Sequence, residues 1–383
     1  STQGYSSAAS DVYKRQGLTL LLAFLLTACG SKNTESTKTH EQAGTQYADL
    51  LSITPEDGYT RVDVRTEKGG RPVATYLLVP RESEQPKNLP AGEVLKVPVQ
   101  SLVVNTTVYA YPLKELGSLG VVKGVTDASY FTMPEIRQGL KEGSVADVGN
   151  AQQPTVEKIV ELAPDGILIN LFEGMNAGAL PTSGTPYIKM ADNLEATPLG
   201  RAEWIKFLGL LTGKEAQADS IFSQVVKDYT ALTDKAKNAR NKPKVLVENM
   251  YEGAWYVPGG NSVSARLIED AGGAYPWIND TKTGSLSLSY EQVLGTAGDA
   301  DIWLLKVFGQ QLSRASLAAM DKRYTQFQPY RTGKVWYSDT ATSSLFDYNA
   351  FHPELVLSDY VLIFHPELAE QGRKPRFYRQ MQP

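Results

Sequence analysis

Apolar side chains at Ala218, Ile221, Phe222, Val225, Tyr229, Leu232 and Ala236 recur at spacings of three and four between residues 214 and 239. That period lays them along one side of an α-helix. Asp219, Ser220, Gln224, Lys227, Asp228, Lys235 and Lys237 take the other side, and no glycine or proline intervenes before Pro243. At a rise of roughly 1.5 Å per residue such a helix runs about 39 Å, enough to cross one small domain and reach another.

Upstream the period becomes that of strands. Residues 60–66 (TRVDVRT), 73–79 (VATYLLV) and 95–99 (LKVPV) read as strands, divided by a hairpin signal at Lys68-Gly69-Gly70-Arg71 and a loop marked by Pro80, Pro86 and Pro90. This predicts an antiparallel, β-rich extension over 47–101 that feeds a parallel sheet. From 102 to 198 strands (102–105, 121–125, 167–170, 187–190) alternate with helices (112–119, 133–141, 156–162). The same grammar returns over 243–383, with strands at 244–247, 301–305 and 335–337 and helices at 262–270, 290–294 and 355–364. Alternation of this kind argues for parallel sheets covered on both faces. The predicted fold is therefore α/β: two doubly wound α/β lobes, 102–198 and 243–383, joined through a helical segment at 199–242 by one long rigid helix, with an N-terminal β-rich extension. A chain of 383 residues is long enough for two cores.

Composition changes this picture only at the start of the chain. A formal charge of -4 leaves no basic footprint for nucleic acid. Residues 11–16 (DVYKRQ) resemble a translated sequencing adapter, so 1–16 are read as an artefact and not as native protein. Residues 17–28 (GLTLLLAFLLTA) have the length of a signal-peptide core and are too short for a stable membrane span. They end at Leu26-Thr27-Ala28-Cys29, which resembles a bacterial lipobox with Cys29 as the lipidated residue. Cys29 is the chain's single cysteine, which excludes an intramolecular disulfide, and 29–46 reads as a lipidated polar tether to a membrane.

Several short motifs coincide in order. They are Lys123-Gly124-Val125-Thr126, the glycine-bounded stretch 143–149 followed by Pro154-Thr155-Val156-Glu157, the run 162–167 (LAPDGI), and 289–294 (SYEQVL). From about 102 to about 366 the chain resembles the helical-backbone (class III) periplasmic binding proteins of ABC importers for iron-siderophores, haem and cobalamin. The resemblance implies a monomeric, non-catalytic protein of the cell envelope, without a cofactor, facing the periplasm or exterior and handing a metal chelate to an ABC permease dimer. It also implies that Glu157 and Glu291 dock on that dimer, one from each lobe. Two other classes compete. One is a surface lipoprotein that captures haem or another ligand without a permease. The other is an enzyme on a similar two-lobed fold, which lacks here the cysteines of a cluster and a G-x-S-x-G turn.

In open α/β sheets ligands lie beyond the carboxyl ends of the strands. Residues following the predicted strands are rich in rings, and Tyr109, Tyr111, Glu173, Met175, Tyr251, Trp255, Tyr256 and Lys306 are the expected ligand contacts, with Phe172 and Phe308 beside them. Histidine is scarce: His40 lies in the tether, while His352 and His365 each open a His-Pro-Glu-Leu repeat whose proline suits a first helical turn. Bare metal is therefore not expected, and haem ranks below iron chelates and cobalamin. The Gly259-Gly260 pair before a predicted helix could cradle an anion at the helix N-terminus, but a turn and N-cap explain it as well and are the favoured reading.

Overall fold

The computed structural model describes residues 44–172, 184–369 and 372–382. The adapter-like stretch, the signal-peptide core, Cys29, His40, Glu173 and Met175 lie outside the described residues. Strands β1 (Leu51–Glu56), β2 (Tyr59–Val64), β3 (Ala74–Pro80) and β4 (Glu93–Val97) form a sheet of their own in that order. The first three pair antiparallel, as their alternation predicts, but β4 runs parallel to β3. The extension therefore does not feed the next sheet as expected. The proline-marked connection from 81 to 92 is long enough to carry the chain back to the start of β3, so β4 enters in the same direction. Tyr76 of β3 ties this sheet to its neighbour: its hydroxyl donates to the Tyr187 carbonyl at 2.8 Å and accepts from the Lys189 amide at 2.7 Å.

Next come β5 (Leu102–Val104), α1 (Ala110–Glu115), β6 (Val122–Val125), α2 (Pro134–Glu142), β7 (Ala146–Asp147), α3 (Val156–Leu162), β8 (Gly166–Asn170) and β9 (Tyr187–Met190). The strands make an all-parallel sheet ordered β7-β6-β5-β8-β9. Winding proceeds outward from β5 on one side and from β8 on the other, which leaves a crevice at the carboxyl ends where the direction reverses. Two helices, α4 (Pro198–Ala202) and α5 (Ile205–Thr212), lead into α6 (Glu215–Lys237). Buried carboxylates flanking α4 hold residues 46–50 in place. Glu203 accepts from the amides of Gln46, Tyr47 and Ala48 at 2.7–3.0 Å, and Glu195 from those of Asp49 and Leu50 at 3.0 Å.

The C-terminal part comprises β10 (Val245–Val247), β11 (Met250–Tyr251), β12 (Ala254–Pro258), α7 (Val263–Asp270), β13 (Ser285–Leu288), α8 (Tyr290–Ala297), β14 (Ile302–Val307) and α9 (Arg314–Met320). It continues with α10 (Gln328–Thr332), β15 (Val335–Asp339), α11 (Leu345–Tyr348), α12 (Pro353–Phe364) and β16 (Arg379–Gln380). Strands β10, β14 and β15 are parallel, with β16 added antiparallel at the edge. A second small sheet, β11-β12-β13, is antiparallel. Neither β16 nor that sheet is foreseen from the pattern, because β11 and β16 have two residues each and show no alternation. The β11–β12 turn has positive φ at both central residues, Glu252 (50°) and Gly253 (85°), the handedness a tight hairpin requires.

Two hydrophobic cores result, and α6 belongs to both. Ala218, Phe222 and Val225 sit in the core under the first two sheets, while Tyr229 and Ala236 sit in the other. Helix α6 is 23 residues long, a little shorter than the predicted span, so it extends about 35 Å. Helix α12 runs against it, and just before α12 the chain inserts Ala350 and Phe351 into the first core. Phe222 meets the ring of Tyr47 edge-on at 5.7 Å and lies under the Lys206 ammonium at 5.1 Å. Phe222→Ala is expected to cost about 3 kcal/mol in chemical denaturation, the usual range for a buried phenylalanine, against less than about 0.5 kcal/mol for Lys227→Ala on the wet face.

Candidate functional site

The carboxyl ends of the two parallel sheets meet across a cleft. Asn105, Thr106 and Thr107 follow β5, and Thr126 and Asp127 follow β6. Phe308 follows β14, and Thr340 and Ala341 follow β15. With Ser344, Phe346 and Asp347 around α11 they enclose about 450 Å³, the size of a small-molecule site. Large apolar rings are seldom left in water, yet Tyr130, Phe308 and Phe346 at this cleft are 70%, 72% and 44% exposed. Two of the five non-glycine residues with positive φ among the described residues also lie here, Asp127 (47°) and Ser344 (54°), one from each lobe. Backbone strain of this kind concentrates at binding sites. At Asp127 it is held by the neighbouring loop, since the amide donates to the Gly149 carbonyl at 2.7 Å and Oδ2 accepts from the Ala151 amide at 3.0 Å.

Of the expected contacts, two are core residues. Tyr109 has no exposed surface. Its hydroxyl donates to Asp192 at 2.7 Å and accepts from the Asn170 amide nitrogen at 2.8 Å, inside a network closed by Arg201. The helical turn Thr107–Tyr109 carries this ring inward and away from the cleft. Trp255 is likewise covered, donating Nε1–H to the Val247 carbonyl at 2.9 Å and lying against Trp303, Tyr324 and Phe327. The alternation of β12 explains it, since Trp255 points inward and Tyr256 outward. Half-buried Tyr111 packs against Tyr348 with centroids 4.1 Å apart and ring planes tilted by 47°, a contact between α1 and the end of α11. Tyr251, Tyr256 and Lys306 do come together, in a separate groove of about 400 Å³ that shares no residue with the cleft. There Lys306 pairs with Glu248: burial opposes the ammonium, but the carboxylate outweighs it and raises the Lys306 pKa.

The cleft residues absent from the expected set were within reach of the same rule in one case. Tyr130 lies just past the carboxyl end of β6, as Tyr109 does past β5, and nothing in the sequence says which ring turns outward. Phe346 follows β15 at a distance that gives no pattern at all. The Gly259-Gly260 pair serves the backbone. A Cβ on either glycine would collide with carbonyls of 277–284, and α7 is capped by Ser262, whose hydroxyl accepts from the Ala265 amide at 3.2 Å.

Glu157 and Glu291 are exposed in the first turns of α3 and α8, and neither is in an ion pair among the described residues. Both histidines near the C-terminus are structural. His365 is buried, with Nε2 2.9 Å from the Ala271 carbonyl. His352 stands between Glu354 at 2.9 Å and Glu115 of α1 at 2.8 Å, so it bridges the two lobes behind the cleft. Among the described residues no group of three or more histidine, cysteine or acidic side chains could hold a metal ion.

Two α/β lobes on one shared helix, with strand ends opposed across a ring-walled cleft, define a substrate-binding protein of the helical-backbone kind. Residues 107–328, more than half the chain, match the family described as Periplasmic binding protein, and the chain belongs to it. Members of this family bind solutes and are not enzymes. An uncharacterized lipoprotein of Methanocaldococcus jannaschii is 28% identical, the match covering 75% of this chain and 70% of the relative. The fold is shared with an ABC transporter substrate-binding protein from Listeria monocytogenes EGD-e (TM-score 0.53, 18% identity, 70% of this chain and 99% of that one). It is shared too with a periplasmic heme binding protein from Pseudomonas aeruginosa (TM-score 0.58, 20% identity, 74% and 99%).

The bridge at His352 makes stability depend on pH. Burial opposes protonation, but the Glu115 and Glu354 carboxylates push the imidazole from an ordinary 6.5 up to about 9. A pKa raised on folding stabilises fully below about 6.5, and the contribution is lost as pH climbs through about 9. Between those limits the unfolding free energy of the native protein is expected to fall by up to ~3 kcal/mol more than that of His352→Gln in matched denaturation curves.

Proposed function

We propose that this is a lipid-anchored substrate-binding protein of an ABC importer, which captures an iron chelate or cobalamin in the cleft and delivers it to a permease dimer. The observation that carries the reading is the set of three exposed rings, Tyr130, Phe308 and Phe346, converging from both lobes on a cleft of about 450 Å³. Flat aromatic faces with hydroxyls between them suit a large rigid chelate. Among the described residues no histidine lines the cleft to serve as an axial ligand, which ranks haem below the other two even though two fold neighbours are named for heme. Glu157 and Glu291 are free at the surface of separate lobes, so two weak contacts at a fixed span orient one complex. Anchoring through Cys29 is supported by the lipobox-like run and by the lipoprotein name of the relative, and it places the protein in the cell envelope. Among the described residues no helix is long and apolar enough to cross a membrane.

Binding and uptake test the two halves separately. Phe308→Ala is expected to weaken the bound chelate about tenfold or more in titration calorimetry while leaving thermal stability unchanged. Glu157→Ala with Glu291→Ala should leave that affinity intact and abolish chelate uptake by cells. Unchanged uptake in the double variant would favour capture without a permease. Unchanged affinity in Phe308→Ala would remove the cleft from the account.

A further inference from the structure

We infer that the cleft selects its ligand by charge, accepting a metal complex of zero or positive net charge and rejecting polyanionic chelates; this rests on the binding-protein reading above. Among the described residues the charged side chains at the cleft wall are Asp127 and Asp347, one from each lobe, and no lysine, arginine or histidine lines it. Neither carboxylate is in an ion pair among the described residues, so neither charge is neutralised before a ligand arrives.

Four basic groups of the neighbouring elements are already engaged by other side chains. Lys114 of α1 pairs with Glu135, and Arg201 of α4 pairs with Asp192. Lys306 of β14 pairs with Glu248 in the separate groove, and Arg376 lies over the Tyr348 ring at 4.2 Å. The rings act in the same direction as the acids, because an aromatic face carries negative potential and attracts a cation. Thr106, Thr126, Thr340 and Ser344 offer hydroxyls that satisfy uncharged donors and acceptors. A polyanion entering this site would lose its hydration without gaining a single cationic partner. Burial also raises the Asp347 pKa, in the sense expected of a carboxylate that lacks a cation and would gain from one.

Titration calorimetry of the full chain against four probes tests this. They are a cationic ferric trihydroxamate, an uncharged corrinoid, a triply negative ferric tris-catecholate, and a porphyrin bearing two carboxylates. The corrinoid or the trihydroxamate is expected to bind at least ~100-fold tighter than either anion. Affinity for the cationic probe should fall as salt is raised and drop about tenfold in Asp347→Asn, while the corrinoid responds to neither change. The salt series reads the same charge dependence on the unaltered protein, whether or not the variant folds. An anionic probe that binds as tightly as the other two would overturn charge selection and leave the binding-protein reading standing. If no probe binds at any charge, both fall.

Discussion

Sharing of helix α6 between two hydrophobic cores is the constraint on which the architecture depends. Its first half supplies Ala218, Phe222 and Val225 to one core and its second half Tyr229 and Ala236 to the other. Because one continuous backbone serves both, the lobes cannot move far apart without exposing a face of α6. Polar contacts hold the rod near its start and in its second half. The Gln217 amide nitrogen donates to the Glu115 carbonyl at 2.6 Å, and the Tyr229 hydroxyl donates to Asp270 at 2.7 Å. Tyr111 against Tyr348, and His352 between Glu115 and Glu354, add further contacts between the lobes. A frame built this way predicts a preorganised site and little lobe closure on binding.

The frame was legible because it rests on long periodic signals. The 3.6-residue period of 214–239 found α6, and the βα alternation found both parallel sheets. Strand direction was not legible in the extension. Alternation reports that a segment is a strand and which face it buries, whereas the parallel entry of β4 follows from the length and path of the loop before it. Short elements such as β11 and β16 fall below the length at which any period shows, and the buried α5, with Ile205, Phe207, Leu208 and Leu211 all covered, has no polar face to mark its period.

The site was legible as a place and less so as a set of residues. The carboxyl-end rule was applied to the loops after β5, β8, β10 and β14; those after β5 and β14 do line the cleft, the one after β10 lines the separate groove, and the loops after β6 and β15 complete the cleft unforeseen. Within those loops a ring's chemistry says nothing about its direction. Tyr109 and Trp255 are as aromatic as Tyr130 and Phe308, yet the first two complete buried hydrogen-bond and ring clusters and the last two stand in solvent. What separates them is the phase of a strand or helical turn relative to the core, a quantity fixed by tertiary contacts.

The account stands or falls on whether the lobes keep a fixed separation as the cleft fills. Spin labels at Glu161→Cys on α3 and Thr296→Cys on α8, in a Cys29→Ser background, report that separation by double electron–electron resonance. One narrow distance distribution that shifts by less than about 3 Å on adding a bound corrinoid or trihydroxamate is the predicted result. A broad distribution in the free protein that collapses by about 10 Å or more on binding would contradict a shared rigid helix and require a hinge instead.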